Sequence, residues 1–159
     1  MAVHNITWNA TSSGVGSTTG IEAALNWLTG GEAEITREKV KSYHGARMTM
    51  LRAHIQQKRA AKHSICHLGS EFLNKLSQSA DLESRIDEQN TLHIRLSISS
   101  LIRGSIEFSR GMEEQVKGRI KLEVYPGQDA IENARVMLTT SANKAQAEGL
   151  PVEFDPENV

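Results

Sequence analysis

The apolar positions of this chain recur at intervals of three and four residues through most of its middle, from Ile35 to Val116. That spacing places them along one side of an α-helix, because about 3.6 residues complete a turn. The region is rich in Ala, Leu, Lys, Arg, Glu and Gln, and the first proline of the chain is Pro126. Nothing before that proline breaks a helix outright. The pattern therefore predicts long amphipathic helices.

Caps and the ends of the apolar stripes divide this pattern into helices over residues 20–29, 36–78, 80–117 and 129–148. The first follows a capping box, in which Thr19 and Glu22 satisfy each other's backbone amides. The last begins at Asp129 with Glu132 in its first turn, and Gly149 ends it. These local signals predict where helices begin and end.

Two segments alternate between apolar and polar residues, as a half-buried strand does. Residues 92–99 alternate, but Ile94 and Ile98 also belong to a helical stripe that continues to Val116. The length of that stripe favours a helix, although a strand over 92–98 stays open. Residues 119–125 alternate and then meet Pro126 and a glycine. This second segment predicts a short strand or an extended connector.

The expected fold class is mainly α, with long amphipathic helices in a bundle or an extended assembly, a short strand near 119–125 and an extended N-terminal arm. Residues 1–20 contain no charged side chain and are rich in Ser, Thr, Gly and Asn, which is typical of a segment that is disordered alone. We therefore expect a flexible or docking arm over 1–20, a helical domain over 21–149 and an acidic, extended tail over 150–159.

Aromatic residues make up only 4% of the 159 residues, and apolar residues 38%. Long helices with so few aromatic side chains leave part of their apolar stripes uncovered in a monomer. We therefore expect other protein subunits to complete the core, in the simplest case as a homo-oligomer. Trp8 in the arm and Leu68 and Phe72 in the second helix are the expected interface residues.

Charge is concentrated although the net charge is only −1. Between Arg37 and Lys62 there are eight basic residues and one acid. On a helix, five of the basic residues would share one arc, which is the electrostatic pattern of a polyanion site. A solvated helix face is nevertheless the favoured interpretation, because charge runs usually face solvent. Since aromatic residues are scarce nearby, contact with backbone phosphates is favoured over single-strand recognition. The five candidates are Arg37, Lys41, Arg52, Arg59 and Lys62.

One histidine–cysteine cluster could in principle bind metal. His63, Cys66 and His67 would lie on one face of a helix, and imidazole with thiolate suits zinc. However, Ser64 stands where the catalytic helix pattern of zinc proteases has glutamate, and no second cysteine exists. Chance clustering is the favoured interpretation. We expect no metal and no cofactor.

No motif of a nucleophile elbow, a phosphate-binding glycine loop or a paired acid site is present, so we expect a protein that is not an enzyme. No apolar run approaches the roughly 18 residues that span a membrane. The first residues lack the regions of a cleaved secretion signal, and Cys66 is the only cysteine. We therefore expect a cytoplasmic or virion location rather than that of a cleaved secretory protein.

The leading functional interpretation is a non-enzymatic helical assembly protein that acts through protein–protein contacts, as an oligomeric subunit of a virion or a secretion apparatus. The alternative is a small helical nucleic-acid-binding protein that uses the basic helix face. A defined oligomer in solution would favour the first interpretation, and a monomer would favour the second.

Overall fold

The computed structural model describes residues 3–13, 18–41, 47–111 and 113–154, and these build one antiparallel sheet with helices on one face. The strands are β1 (Val3–Ser13), β2 (Glu34–Lys41), β3 (Arg47–Ile55), β4 (Thr91–Ser97) and β5 (Gln115–Leu122). The α-helices are α1 (Thr18–Leu28), α2 (Lys58–Ile65), α3 (Ser70–Ser77), α4 (Ile98–Ile102) and α5 (Ala130–Glu148). Two short 3-10 turns lie at Cys66–Leu68 and Glu83–Arg85.

The strand order is β2-β3-β1-β5-β4, so the N-terminal segment is the central strand. The prediction of an extended N-terminal arm is therefore wrong. Ile6, Trp8 and Ala10 alternate along β1 and are buried under the helices. Pairing with β3 and β5 satisfies the backbone of β1 on both sides. A segment that cannot order alone is thus ordered by its neighbours.

Trp8 fixes the packing at the centre of the sheet. Its Cα lies opposite Ala53 of β3 and Gly118 of β5. A Cβ atom added at Gly118 would lie 2.3 Å from Cζ3 of the indole ring, closer than carbon atoms can approach. Small residues on both neighbouring strands therefore make room for the largest side chain of the core.

The core lies between the sheet and the helices. Helix α2 packs on β1, and α5 packs along α3. Leu68 and Phe72, like Trp8, are buried in this core, so the three residues predicted as an interface are covered within a single chain. Among the described residues, no helix is both long enough and apolar enough to cross a membrane.

The prediction of a mainly α fold is wrong, because both long middle segments that were predicted as helices include strands. The segment 36–78 forms most of β2, then β3, α2 and α3, and the segment 80–117 forms β4, α4 and the start of β5. The alternation over 92–98 was the true signal, since Leu92, Ile94 and Leu96 are all buried on the helix side. The helical stripe through the same residues is coincidental.

The ends of the fold agree better with the local signals. Helix α5 lies where 129–148 was predicted, and β5 overlaps the predicted strand at 119–125. Helix α1 overlaps 20–29 but begins at Thr18, so Thr19 lies within the helix and is not its cap. Of the predicted tail at 150–159, residues 155–159 lie outside the described residues. Its described part packs against α1, where the rings of Phe154 and Trp27 stack with centroids 5.0 Å apart.

Candidate nucleic-acid interface

The face of the sheet turned away from the helices, here called the open face, follows from the alternation of each strand. Because Ile6, Trp8 and Ala10 point to the helices, Thr7 and Asn9 point to the opposite side. Residues paired across neighbouring strands point to the same face, so the partners of Thr7 and Asn9 also lie on the open side. The open face comprises Thr36 of β2, Arg52 and His54 of β3, Asn9 and Thr11 of β1, Lys117, Arg119 and Lys121 of β5, and His93 and Arg95 of β4, together with their same-face neighbours.

Cationic side chains line up in rows across this face. Arg52 is opposite Asn9, Asn9 is opposite Lys117, and Lys117 is opposite Arg95. Because neighbouring strands lie about 4.8 Å apart, this row spans about 14 Å. Arg119 occupies the next row along the strands. The cations therefore form a two-dimensional array and not a single track.

The array is exposed and its charge is not neutralised locally. Arg52, Arg95, Lys117 and Arg119 are exposed, and within the described residues none of them has an ion-pair partner. The acids of β2 on this side, Glu34 and Glu38, lie on the edge strand. A positive surface of this kind attracts polyanions even though the net charge of the chain is −1.

Hydrogen bonds hold the two histidines of the open face in place. His54 Nδ1 is 2.7 Å from Thr7 Oγ1, and its Nε2 is 2.8 Å from Gln56 Oε1. His93 Nε2 is 2.8 Å from Asp87 Oδ2, and this hydrogen bond is the main reason that the pKa of Asp87 lies below its usual value. The two imidazoles beside the cations therefore already have partners.

A shallow depression of about 460 Å³ lies at the middle of the face. Its lining includes Asn9, Thr11, His93, Arg95, Lys117 and Arg119. A larger depression of about 620 Å³ lies beside α3, where the carboxylates of Glu71 and Glu107 offset the charges of Lys75 and Arg110. The smaller depression is thus the one with the chemistry of a polyanion site.

Residues 17–124 match a protein family described as RNA binding. The chain belongs to this RNA-binding family. The match contains Arg52, Arg95, Lys117 and Arg119. It overturns the interpretation as an α-helical virion protein and supports the alternative, a small nucleic-acid-binding protein, with an α/β fold in place of a helical one.

Solved structures share this fold over nearly their whole length. A DUF54 protein from Methanothermobacter thermautotrophicus is 29% identical, with 87% of this chain and 99% of that chain covered and a TM-score of 0.69. A DUF54 protein from Archaeoglobus fulgidus is 24% identical, with 85% and 99% covered and a TM-score of 0.71, which supports the fold alone. No curated protein matches the sequence.

The structure disperses the five basic residues that were predicted to share a helix arc. Only Arg52 lies on the open face of this RNA-binding family member. Arg37 and Lys41 lie on the other side of β2, where Arg37 forms an ion pair with Glu22. Arg59 and Lys62 lie on α2. The shared arc required one continuous helix. In the structure these residues lie on β2, β3 and α2, and so they face different sides of the fold.

Sequence reasoning missed Arg95, Lys117 and Arg119. The signal was present, because each alternates with buried residues of its strand: Arg95 between Ile94 and Leu96, and Lys117 after Val116. The helix predicted over 80–117 obscured the alternation around Arg95 and Lys117, whereas Arg119 lay in the segment 119–125 that was predicted as a strand. Only the strand order, which places β5 beside β1, brings them together with Arg52.

The histidine–cysteine cluster does not form a shared site. His63 Nδ1 is 3.2 Å from Glu32 Oε2, whereas Cys66 directs its thiol to the carbonyl of Lys62. Burial is the largest cause that raises the pKa of Cys66 above its usual value. His67 lies in the core, perpendicular to the His63 ring. Across the described ranges, no three such side chains are placed to hold a metal ion.

Proposed function

We propose that this protein binds RNA through the open face of its sheet, with Arg52, Arg95, Lys117 and Arg119 contacting phosphates. The observation that carries the proposal is a helix-free sheet face with exposed cations that lack ion-pair partners within the described residues, in a member of an RNA-binding family. The proposal assigns the chain no catalytic step. Self-association stays a separate prediction. The residues expected to form its interface, Trp8, Leu68 and Phe72, are buried in the core of a single chain.

Phosphate neutralisation supplies the affinity in this proposal. Each cation that pairs with a phosphate releases condensed counterions, which favours binding without reading the base sequence. The strands fix the Cα atoms of Lys117 and Arg95 about 4.8 Å apart and those of Arg52 and Lys117 about 9.6 Å apart before RNA arrives, so the backbone needs little ordering on binding. Arginine adds planar donors that can bond two phosphate oxygens at once.

The test compares two charge-reversal variants that change the net charge equally. One carries Lys117→Glu and Arg119→Glu on the open face, and the other carries Arg59→Glu and Lys62→Glu on α2. Binding to a labelled RNA hairpin, which contains both a stem and a loop, is followed by fluorescence anisotropy at about 150 mM salt. Circular dichroism checks that both variants keep the wild-type fold.

We expect the open-face variant to bind the hairpin at least about tenfold more weakly, because two phosphate contacts become repulsions. The α2 variant should bind within about threefold of wild type, since the same loss of net charge there weakens only the long-range attraction. Equal losses in the two variants, or a loss confined to the α2 variant, would show that the open face is not the RNA site.

A further inference from the structure

The centre of the open face is neutral and able to hydrogen-bond. β1 contributes Asn9 and Thr11, whose side chains have no hydrogen-bond partner within the described residues, and Thr7, whose hydroxyl is bonded to His54. An amide and a hydroxyl can each donate and accept. Those are the requirements for contact with a ribose 2′-hydroxyl, which is itself both a donor and an acceptor.

Cations flank this neutral centre on both sides. Arg52 lies one strand away from Asn9 on β3, while Lys117 lies one strand away on β5 and Arg95 two strands away on β4. The Cα atoms of the outermost two, Arg52 and Arg95, are about 14 Å apart. A single RNA strand presents one line of phosphates, whereas a groove of a double helix presents phosphates on both sides of its sugars.

The open face offers little for stacking unpaired bases. Within the described residues, it carries no Phe, Tyr or Trp side chain, because Trp8 points to the helices. The imidazoles of His54 and His93 are engaged in hydrogen bonds. Recognition of single-stranded RNA by sheets depends on aromatic platforms, so the chemistry of this face favours a ligand with its bases already paired.

We propose that the RNA bound by the open face is a double helix, recognised through its backbone without base reading. The phosphates of its two strands lie over the flanking cations, and the 2′-hydroxyls of its wide minor groove lie over Asn9 and Thr11. This inference rests on the proposed function, since it assigns the form of the RNA to the same face.

The test uses the wild-type chain with a blunt RNA duplex of about 16 base pairs, each of its two strands alone, and the DNA duplex of the same sequence. We expect the RNA duplex to bind at least about tenfold more tightly than either strand or the DNA duplex. A second RNA duplex of unrelated sequence should bind within about threefold of the first, because backbone contacts carry no sequence information.

An Asn9→Ala variant tests the neutral centre. It should lower the preference for RNA over DNA duplexes severalfold while leaving the dependence on salt unchanged, since no phosphate contact is lost. An Asn26→Ala variant on α1 is the control, because it removes an amide from the helix layer and should leave the preference at its wild-type value.

The outcomes separate this inference from the proposed function. If a single strand binds more tightly than the duplex and the Lys117→Glu/Arg119→Glu variant loses that binding, the open face is the site and the double-helix inference is wrong. If the duplex binds best but the variant retains it, the open face is not the site and both proposals are wrong. Equal affinity for RNA and DNA duplexes would overturn the role of Asn9.

Discussion

His67 is a core histidine whose pKa is shifted by its surroundings. It is only 8% exposed, and its Nδ1 atom has no hydrogen-bond partner in the described part of the structure. Burial is the main cause that lowers its pKa below the usual value of 6.5, and the neighbouring His63 lowers it further. Glu32 and Glu148 act in the opposite direction and more weakly. Neutral imidazole is therefore the form that the fold accommodates.

We predict that this residue makes the fold less stable as the pH falls below about 6.5. The unfolded chain takes up a proton at His67 in that range, whereas the folded chain does not until its lowered pKa is reached. Stability therefore falls with decreasing pH between those two values, by at most about 1.4 kcal/mol per pH unit. Asp81 and Asp87, whose pKa values are also lowered, act only below about pH 4.

Urea unfolding at pH 7.0 and pH 5.5 measures the effect. A His67→Leu variant should lose most of the difference between the two pH values, because leucine has no proton to take up and the change removes no hydrogen bond within the described residues. If the His67→Leu variant keeps the wild-type pH dependence, the loss of stability at low pH comes from another histidine.

At the scale of a secondary-structure element, the N-cap of helix α5 is a local contact that stabilises the helix. Asp129 accepts a hydrogen bond from the Ile131 amide at 3.1 Å, and Glu132 lies in the first turn. The negative charge of Asp129 also complements the positive end of the helix dipole. The capping signal in the sequence thus corresponds to a real contact.

We predict that Asp129→Ala lowers the free energy of unfolding by about 1 kcal/mol, since it leaves that amide without its capping partner. Asp129→Ser should retain most of the stability because serine caps nearly as well. Thermal and urea denaturation of the two variants distinguish capping from a loss of charge alone. Equal destabilisation by both substitutions would point to charge.

At the scale of the whole molecule, the placement of charge matters more than its sum. The chain carries −1 overall, yet its open face presents Arg52, Arg95, Lys117 and Arg119. On duplex DNA, each neutralised phosphate contributes about −0.9 to the slope of log affinity against log salt, and we expect a similar value for an RNA double helix. We predict a slope between about −3 and −4 for the wild type.

The Lys117→Glu/Arg119→Glu variant should reduce the magnitude of that slope by about two, because two phosphate contacts are removed. Titrations at four or more salt concentrations measure it. A wild-type slope near zero would mean that phosphates contribute little to binding, contrary to the array of cations on the open face.

The sequence by itself determined the features that depend on neighbouring residues. The cap of α5 at Asp129, the helix α1 and the strand that ends before Pro126 were all readable, because a capping hydrogen bond or a run of alternation involves only a few adjacent positions. The concentration of basic residues between Arg37 and Lys62 suggested nucleic-acid binding only as the alternative function, and most of those residues lie away from the open face.

Only the tertiary structure decided the fold class and the composition of the candidate site. Residues 36–41, 47–55 and 91–97 lie in stretches whose pattern predicted helices, and pairing with neighbouring strands makes them strands. β1 becomes ordered only between β3 and β5, which bury its Trp8. Because that pairing brings Arg52 close to Lys117 across β1, no local pattern could have assembled the open face.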